Sequence, residues 1–290
     1  MTFPLRRLML AALPLALAFA LPRSAAAQTG TVAVAADSLY VITLTDGSVL
    51  HGQVEDAGAT VIVRTQAGVT VRLERQQIRS IERARPGAVA NGLPKDPNHT
   101  RLFFGPTARA VGGGRGYLGV YEVFFPFLTY GVTSKFSVSG GTPILPGAVG
   151  ELWYFAPKLT LLETETLAVA TGVLALAVEN ETAGIVYGAG TFGGSDQAVT
   201  AGIGWGFSDG DLHNQAVVMV GGELRAGRNT KLITENYLIP GFDGSDGSIL
   251  SGGIRFFGEQ LSADLGIAVS PTDCESDFCW IPLVNFVYSF

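Results

Sequence analysis

The sequence predicts an all-β protein whose larger part is a transmembrane antiparallel barrel of about twelve strands, within a range of roughly ten to fourteen. Three observations carry this. Mean hydropathy is +0.33 and only 15% of residues are charged, yet past Leu21 no apolar run approaches the roughly 20 residues a membrane helix needs. Glycine is abundant, at 38 residues, which disfavours helices. The apolar residues recur at alternate positions, so that no single window becomes strongly hydrophobic, as in strands that face lipid on one side only.

The first element, residues 1–27, reads as a signal peptide. Arg6 and Arg7 form a positive start, Leu8–Leu21 is uncharged and apolar, and Ala25-Ala26-Ala27 supplies a small-residue cleavage pattern, placing the cut between Ala27 and Gln28. The apolar run is too short for a membrane anchor and contains Pro14. Losing Arg6, Arg7 and Arg23 leaves 16 basic residues against 25 acidic, a net charge near −9. That balance excludes a nucleic-acid partner, whose phosphates need a basic surface.

Residues 38–82 read as about five short strands. Leu39–Leu44 and Ser48–Val54 flank Asp46-Gly47, the strongest short hairpin signal. Thr60–Thr65 and Val69–Leu73 flank a second turn at Gln66–Gly68, and Ile78–Glu82 closes the set. Five short strands of this spacing predict a small closed barrel. The run ITLTDGSVLHGQV…VIVRTQAGVTVRLERQQIRSIE resembles the Sm-like and SH3-like small barrels attached to bacterial envelope proteins. In cytoplasmic Sm-like relatives the resemblance implies RNA binding; the compartment and the acidic chain argue against that here. His51 with Arg64, Arg72, Arg75 and Arg79 is a candidate binding face, with a solvated surface as the favoured reading. Residues 83–99, carrying Pro86, Pro94 and Pro97, read as a linker.

From residue 100 to 290 the chain reads as the barrel. In the last strand Trp280, Pro282, Val284, Phe286, Tyr288 and Phe290 share one face. Leu261, Ala263, Leu265, Ile267 and Val269 alternate with Ser262, Asp264 and Gly266, and Val199, Ala201, Ile203, Trp205 and Phe207 with Thr200, Gly202, Gly204 and Gly206. Aromatics gather near strand ends, as girdles at the two interfaces require. Connections at Glu163–Glu165, Arg225–Asn229 and Gly258–Gln260 are short, while Ser208–Gln215, Pro240–Ser248 and Ser270–Cys279 read as longer, acidic loops. Short turns belong to the periplasm and long loops to the outside. An even strand number puts residues 38–82 in the periplasm together with Phe290.

The terminal Phe290 with Tyr288 two residues before it resembles the C-terminal signal of bacterial outer-membrane barrels. The resemblance implies that these two residues are read by the barrel-assembly machinery and that the chain resides among outer-membrane lipids. The stretches DPNHTRLFFGPTARA and GGELRAGRNTKLITENYLIPG are similar to uncharacterised outer-membrane barrel proteins of environmental bacteria, and no activity comes with that likeness.

Charges in the strands are expected to face the lumen, since a lipid-facing charge costs about 2–4 kcal/mol at the midplane. The lumen candidates are Arg101, Arg109, Glu122, Glu223, Arg225, Glu235, Arg255 and Asp264. They make either a salt-bridged plug, which is favoured, or the lining of a narrow polar pore. Placing Glu235 inward turns Asn236 outward and leaves the local register open. Cys274 and Cys279 are expected to form a small disulfide loop. His213, the single histidine of the barrel region, stands near Asp209 and Asp211 with no nucleophile motif beside it, so neither a catalytic residue, a metal nor a cofactor is assigned. The expected function is a narrow porin-like channel. The alternative is a structural or interaction protein whose 38–82 domain docks a periplasmic partner, and a membrane-embedded enzyme comes last.

Overall fold

A computed structural model describes residues 39–56, 58–65, 68–83, 89–90, 93–144, 152–178, 181–242, 245–271 and 280–290. The signal-peptide site at Ala27–Gln28 and the pair Cys274 and Cys279 lie outside the described residues.

The first unit is a sheet of five antiparallel strands, β1 (Leu39–Leu44), β2 (Val49–Asp56), β3 (Thr60–Thr65), β4 (Thr70–Glu74) and β5 (Ile78–Arg83), in the order β4-β3-β2-β1-β5. The Asp46-Gly47 turn forms as its sequence predicts. Gly47 takes φ +87°, and Asp46 Oδ1 accepts the Ser48 N–H at 2.8 Å. Alternate residues Tyr40, Ile42, Val54, Val61, Val63 and Leu73 bury one face as a small core. Closure into a barrel was the expectation; instead, among the described residues, the ladder ends at β4 and β5. These two strands are joined by one 3-10 turn, Arg75–Gln77, and the sheet curls over its core without a β4–β5 ladder.

A two-stranded ribbon, β6 (Val89–Ala90) and β7 (Leu93–Pro94), leads to the second unit. Its twelve strands are β8 (Gly116–Tyr121), β9 (Phe125–Gly131), β10 (Phe136–Gly141), β11 (Leu152–Glu163), β12 (Leu167–Val178), β13 (Glu181–Gly193), β14 (Gln197–Ser208), β15 (Asp211–Gly227), β16 (Thr230–Phe242), β17 (Ser245–Phe257), β18 (Leu261–Val269) and β19 (Trp280–Ser289). They form a closed antiparallel barrel, sealed where β19 pairs with β8. Phe290 completes the seam. Its N–H donates to Gly116 O at 2.9 Å and its carbonyl accepts the Gly116 N–H at 3.1 Å.

The barrel is inverted relative to a soluble one. Its outward positions carry Trp153, Phe155, Val186, Phe192, Val199, Ile203, Leu265, Phe286 and Tyr288, all exposed, while its inward positions carry the buried charges described below. Exposed aliphatic and aromatic residues on every second position, with polar ones inside, define a transmembrane β-barrel.

Two loops read as long are strand instead. β14 and β15 join through Asp209-Gly210 alone, with φ +50° and +92°, so most of Ser208–Gln215 belongs to a protruding hairpin. Likewise β16 runs to Phe242 and β17 begins at Ser245. Acidic residues on a hairpin that stands clear of lipid satisfy themselves in water, so their acidity does not require a loop. The wall is uneven. β12–β17 have 12 to 17 residues each, whereas β8 and β10 have 6 and β9 has 7.

Candidate functional site

The segment expected to be linker and first strand is neither. From Asp96 to Val111 the chain enters the barrel and fills it at the end that carries the C-terminus. Asp96, Asn98, Thr100, Arg101, Leu102, Phe103, Thr107, Ala108 and Arg109 are all buried. Their side chains and backbone touch β11, β13, β15, β16, β17, β18 and β19, which surround them. The physical reason is in the residues. Pro97 and Pro106 bar a regular strand, and the backbone groups freed by that irregularity find partners on the inward polar side chains of the wall.

The plug is a tight hairpin. Arg101 bridges to Pro106, Thr107 N–H donates to Thr100 O at 3.0 Å, and Leu102 N–H donates to Gly105 O at 2.9 Å. Three successive amides at its tip, Phe103, Phe104 and Gly105, donate to the Glu235 carboxylate at 2.7, 3.0 and 3.0 Å. Tyr237 Oη donates to the same carboxylate at 2.7 Å. Gly105 is required by close approach: a Cβ there would sit 2.4 Å from Met219 Sδ and 2.8 Å from Tyr237 Oη. Gly221 serves from the wall, where a Cβ would strike Leu102 at 2.4 Å.

The buried charges form one continuous chain of alternating sign. Arg101 bonds Asp264 (3.2 Å), Asp264 bonds Arg255 (2.6 Å), Arg255 bonds Asp96 (3.1 Å), Asp96 meets Lys231 (3.4 Å), Lys231 bonds Glu223 (3.1 Å), and Glu223 bonds Arg109. Arg101, Asp96 and Arg109 belong to the plug; Asp264, Arg255, Lys231 and Glu223 belong to the wall. Arg255 also donates to Asn98 O at 2.8 Å and Leu102 O at 2.6 Å. Lys158 Nζ, from β11, donates to the carbonyls of Thr107 (2.9 Å) and Arg109 (2.8 Å). Thr160 Oγ1 donates to Ala108 O, and Thr191 Oγ1 accepts the Ala108 N–H. Buried charges are tolerable only when paired and hydrogen-bonded in this way.

Of the sequence-derived candidates, Arg101, Arg109, Glu223, Glu235, Arg255 and Asp264 come together here, Arg101 and Arg109 on the plug rather than on strands. Arg225 sits at the C-terminal rim, where it bonds Asp196 at 2.6 Å and Pro94 O at 2.9 Å. Glu122 is separate, in the β8–β9 turn, where its carboxylate accepts the Val284 N–H at 3.2 Å. Asn236 does face outward beside Glu235. Its amide donates to Val220 O and accepts the Ser251 N–H, both at 3.1 Å, filling in for ladder bonds. Asp96, Asn98, Lys158, Lys231 and Asn285 were missed. Lys158 and Lys231 were legible, since each lies at the parity opposite to lipid-facing neighbours such as Leu159 and Leu232.

Elsewhere, Ser208 Oγ lies 3.1 Å from His213 Nε2 on the exposed β14–β15 hairpin. A hydrolytic triad needs a carboxylate on the other ring nitrogen, and the Asp209 carboxylate instead accepts the Thr182 N–H at 3.1 Å. In the small sheet, His51 is buried and so is no part of a binding face, Arg75 pairs with Asp56, and Arg79 donates to Thr45 O.

No family model matches this chain, and no curated protein does. Among solved structures, a KdgM porin in complex with disordered oligogalacturonate is similar at 9% identity and a TM-score of 0.47, over 61% of this chain and 98% of that one. A NanC porin gives 9% identity and 0.44 over 61% and 98%. OmpT of Vibrio cholerae, an outer-membrane protein, in a form lacking loop L8, gives 12% and 0.36 over 87% and 96%. The barrel itself is defined by its own closed ladder and inverted polarity.

Proposed function

We propose that this chain is an outer-membrane anchor: a barrel sealed by its own segment, holding the five-stranded domain at the periplasmic face. The observation that carries the reading is the seven-member ion chain, in which plug and wall charges interlock and each acidic member bonds two cations. A pore lining leaves its charges to water, whereas these four wall charges are buried and each meets one of three charges on an internal segment, Asp96 serving both Arg255 and Lys231. The porin-like channel expected from sequence is therefore the weaker reading, and no catalytic role is proposed. The even number of strands puts both barrel termini on one rim, and the Arg228 guanidinium on that rim donates to Val49 O of the small sheet at 3.2 Å. Phe290 and Tyr288, closing the seam on that rim, are proposed to be what the assembly machinery reads.

The test is single-channel recording from purified protein in planar bilayers. Full-length protein is expected to be silent, and a variant lacking residues 96–111 to carry steady current. Steady current from the full-length protein would return the channel reading to first place.

A further inference from the structure

We infer that the lumen beyond the plug is a binding site for a hydrocarbon chain that reaches it sideways, out of the surrounding bilayer. This goes beyond the anchor reading and requires only that the barrel sit in a membrane.

The space beyond the plug is open. Phe104, at the tip of the plug and inside the barrel, keeps 40% of its surface accessible. Farther along, the inward residues Leu174, Leu176, Ile185 and Ile239 are each partly accessible, whereas Arg255, Lys231 and Asp264 beside the plug are completely covered. The chemistry of the wall changes at the same level. Inward positions around the plug carry the buried charges and hydroxyls that pair with it, set among small apolar clusters such as Ile233 with Leu283 and Ala168 with Ala189. Beyond it, β12 presents Leu174 and Leu176, β13 presents Ile185, and β14 presents Gly204 and Gly206. That lining suits an alkyl chain and offers little to a sugar or an ion.

Among the described residues the wall is also low on one side, at the short strands β8, β9 and β10. The β8–β9 turn ends opposite Val284, to whose carbonyl the Glu122 N–H donates at 2.9 Å, and β19 continues past this point from Leu283 to Trp280. At about 3.3 Å per residue and a tilt near 40°, the turn stands roughly 15 Å above the C-terminal rim, against an apolar band of about 25 Å. The hairpin tip therefore lies within the hydrocarbon layer. Its composition agrees: the exposed tip residues are Val123 and Phe124, flanked by Tyr121 and Phe125, while the one carboxylate of the turn, Glu122, is half-buried and held by the Val284 N–H. Glu122 and Val123 both take positive φ, +48° and +66°. Tight hairpins in water place Asn-Gly or Asp-Gly at such positions, and a β-branched residue there is strained. Among the described residues, strain and apolar exposure coincide where the wall ends inside the bilayer. Phe104 packs against Tyr121 with ring centroids 5.1 Å apart, so the doorway and the floor of the cavity adjoin. The occupant follows from this continuity: an acyl chain of a neighbouring membrane lipid.

The test uses full-length protein in phosphatidylcholine vesicles doped with a phospholipid carrying a diazirine at the end of one acyl chain. After irradiation, adducts are mapped by peptide mass spectrometry. Wild type is expected to carry adducts on the inward residues Leu174, Leu176 and Ile185 besides those on outward residues such as Val186. Phe124→Asp, which puts a charge in the doorway, and Ile185→Trp, which fills the cavity, are expected to abolish the inward adducts and keep the outward ones. Retained heat-modifiable gel mobility would verify that each variant is folded. Outward adducts alone in wild type would overturn the site. Inward adducts undiminished in Phe124→Asp would overturn sideways access.

Discussion

At the C-terminal rim of the barrel, inward charges are paired and covered among small apolar clusters; beyond Phe104 the inward side chains are aliphatic or aromatic and partly open. The same twelve strands thus carry two interiors. The first is a protein core that holds buried charges, made possible because an internal segment supplies a complementary partner for each of them. The second is a cavity of oil-like lining. A wide barrel has more inward positions than side chains can fill, and the two halves solve that problem differently, one by inserting chain and one by leaving space.

The largest expected effect comes from breaking the ion chain at its middle. Arg255→Met should leave Asp264 and Asp96 facing each other without their shared cation. Stability should fall by about 3–5 kcal/mol, read as a shift of the urea midpoint in detergent. If the loss is under about 1 kcal/mol, the plugged half is as hydrated as a surface and the contrast fails. Next in size is a matched truncation. Leu102→Ala, in the covered half, should cost about 2–5 kcal/mol. Leu174→Ala, in the open half, should cost clearly less, because part of that side chain is already accessible. Equal losses would mean that the cavity collapses around its lining. Glu235→Gln keeps the shape of the group that gathers three plug amides but removes its charge, and a loss of about 1–2 kcal/mol is expected from weaker hydrogen bonds.

The strands were legible because a lipid-facing surface imposes a strict parity. Val199 to Phe207, Leu261 to Val269 and Trp280 to Phe290 each announce which face meets the bilayer, and the ladder keeps that parity. The same rule located Glu223, Glu235, Arg255 and Asp264. The plug was not legible, because residues 96–111 have no period. Their partners lie far along the chain, Arg255 bonding Asp96 across 159 residues and Glu235 meeting Phe103 across 132. Without those partners residues 96–99 read as the end of a linker and residues 100–111 as the start of the barrel wall. The low wall at β8–β10 was hidden for a related reason: strand length depends on where pairing stops, and pairing is not written in any one strand.

The smallest effects compare two glycines, one in each half. Gly105→Ala puts a methyl group 2.4 Å from Met219 Sδ and 2.8 Å from Tyr237 Oη. Both atoms are side-chain ends that can shift, so the cost should lie at the low end of overpacking, about 1 kcal/mol, and the methyl should also push the plug tip off Glu235. Gly206→Ala, inward on β14 opposite Ile185, brings its nearest contacts only to 3.5 Å at His213 Nδ1 and 3.8 Å at Gly184 O. Those are ordinary packing distances, and alanine suits a strand slightly better than glycine. The expected result is a midpoint unchanged or raised by less than about 0.5 kcal/mol, together with unchanged heat-modifiable mobility. A clear loss from Gly206→Ala would mean that the wall beyond the plug is packed as tightly as the plug itself, and the two interiors would then differ in polarity but not in space.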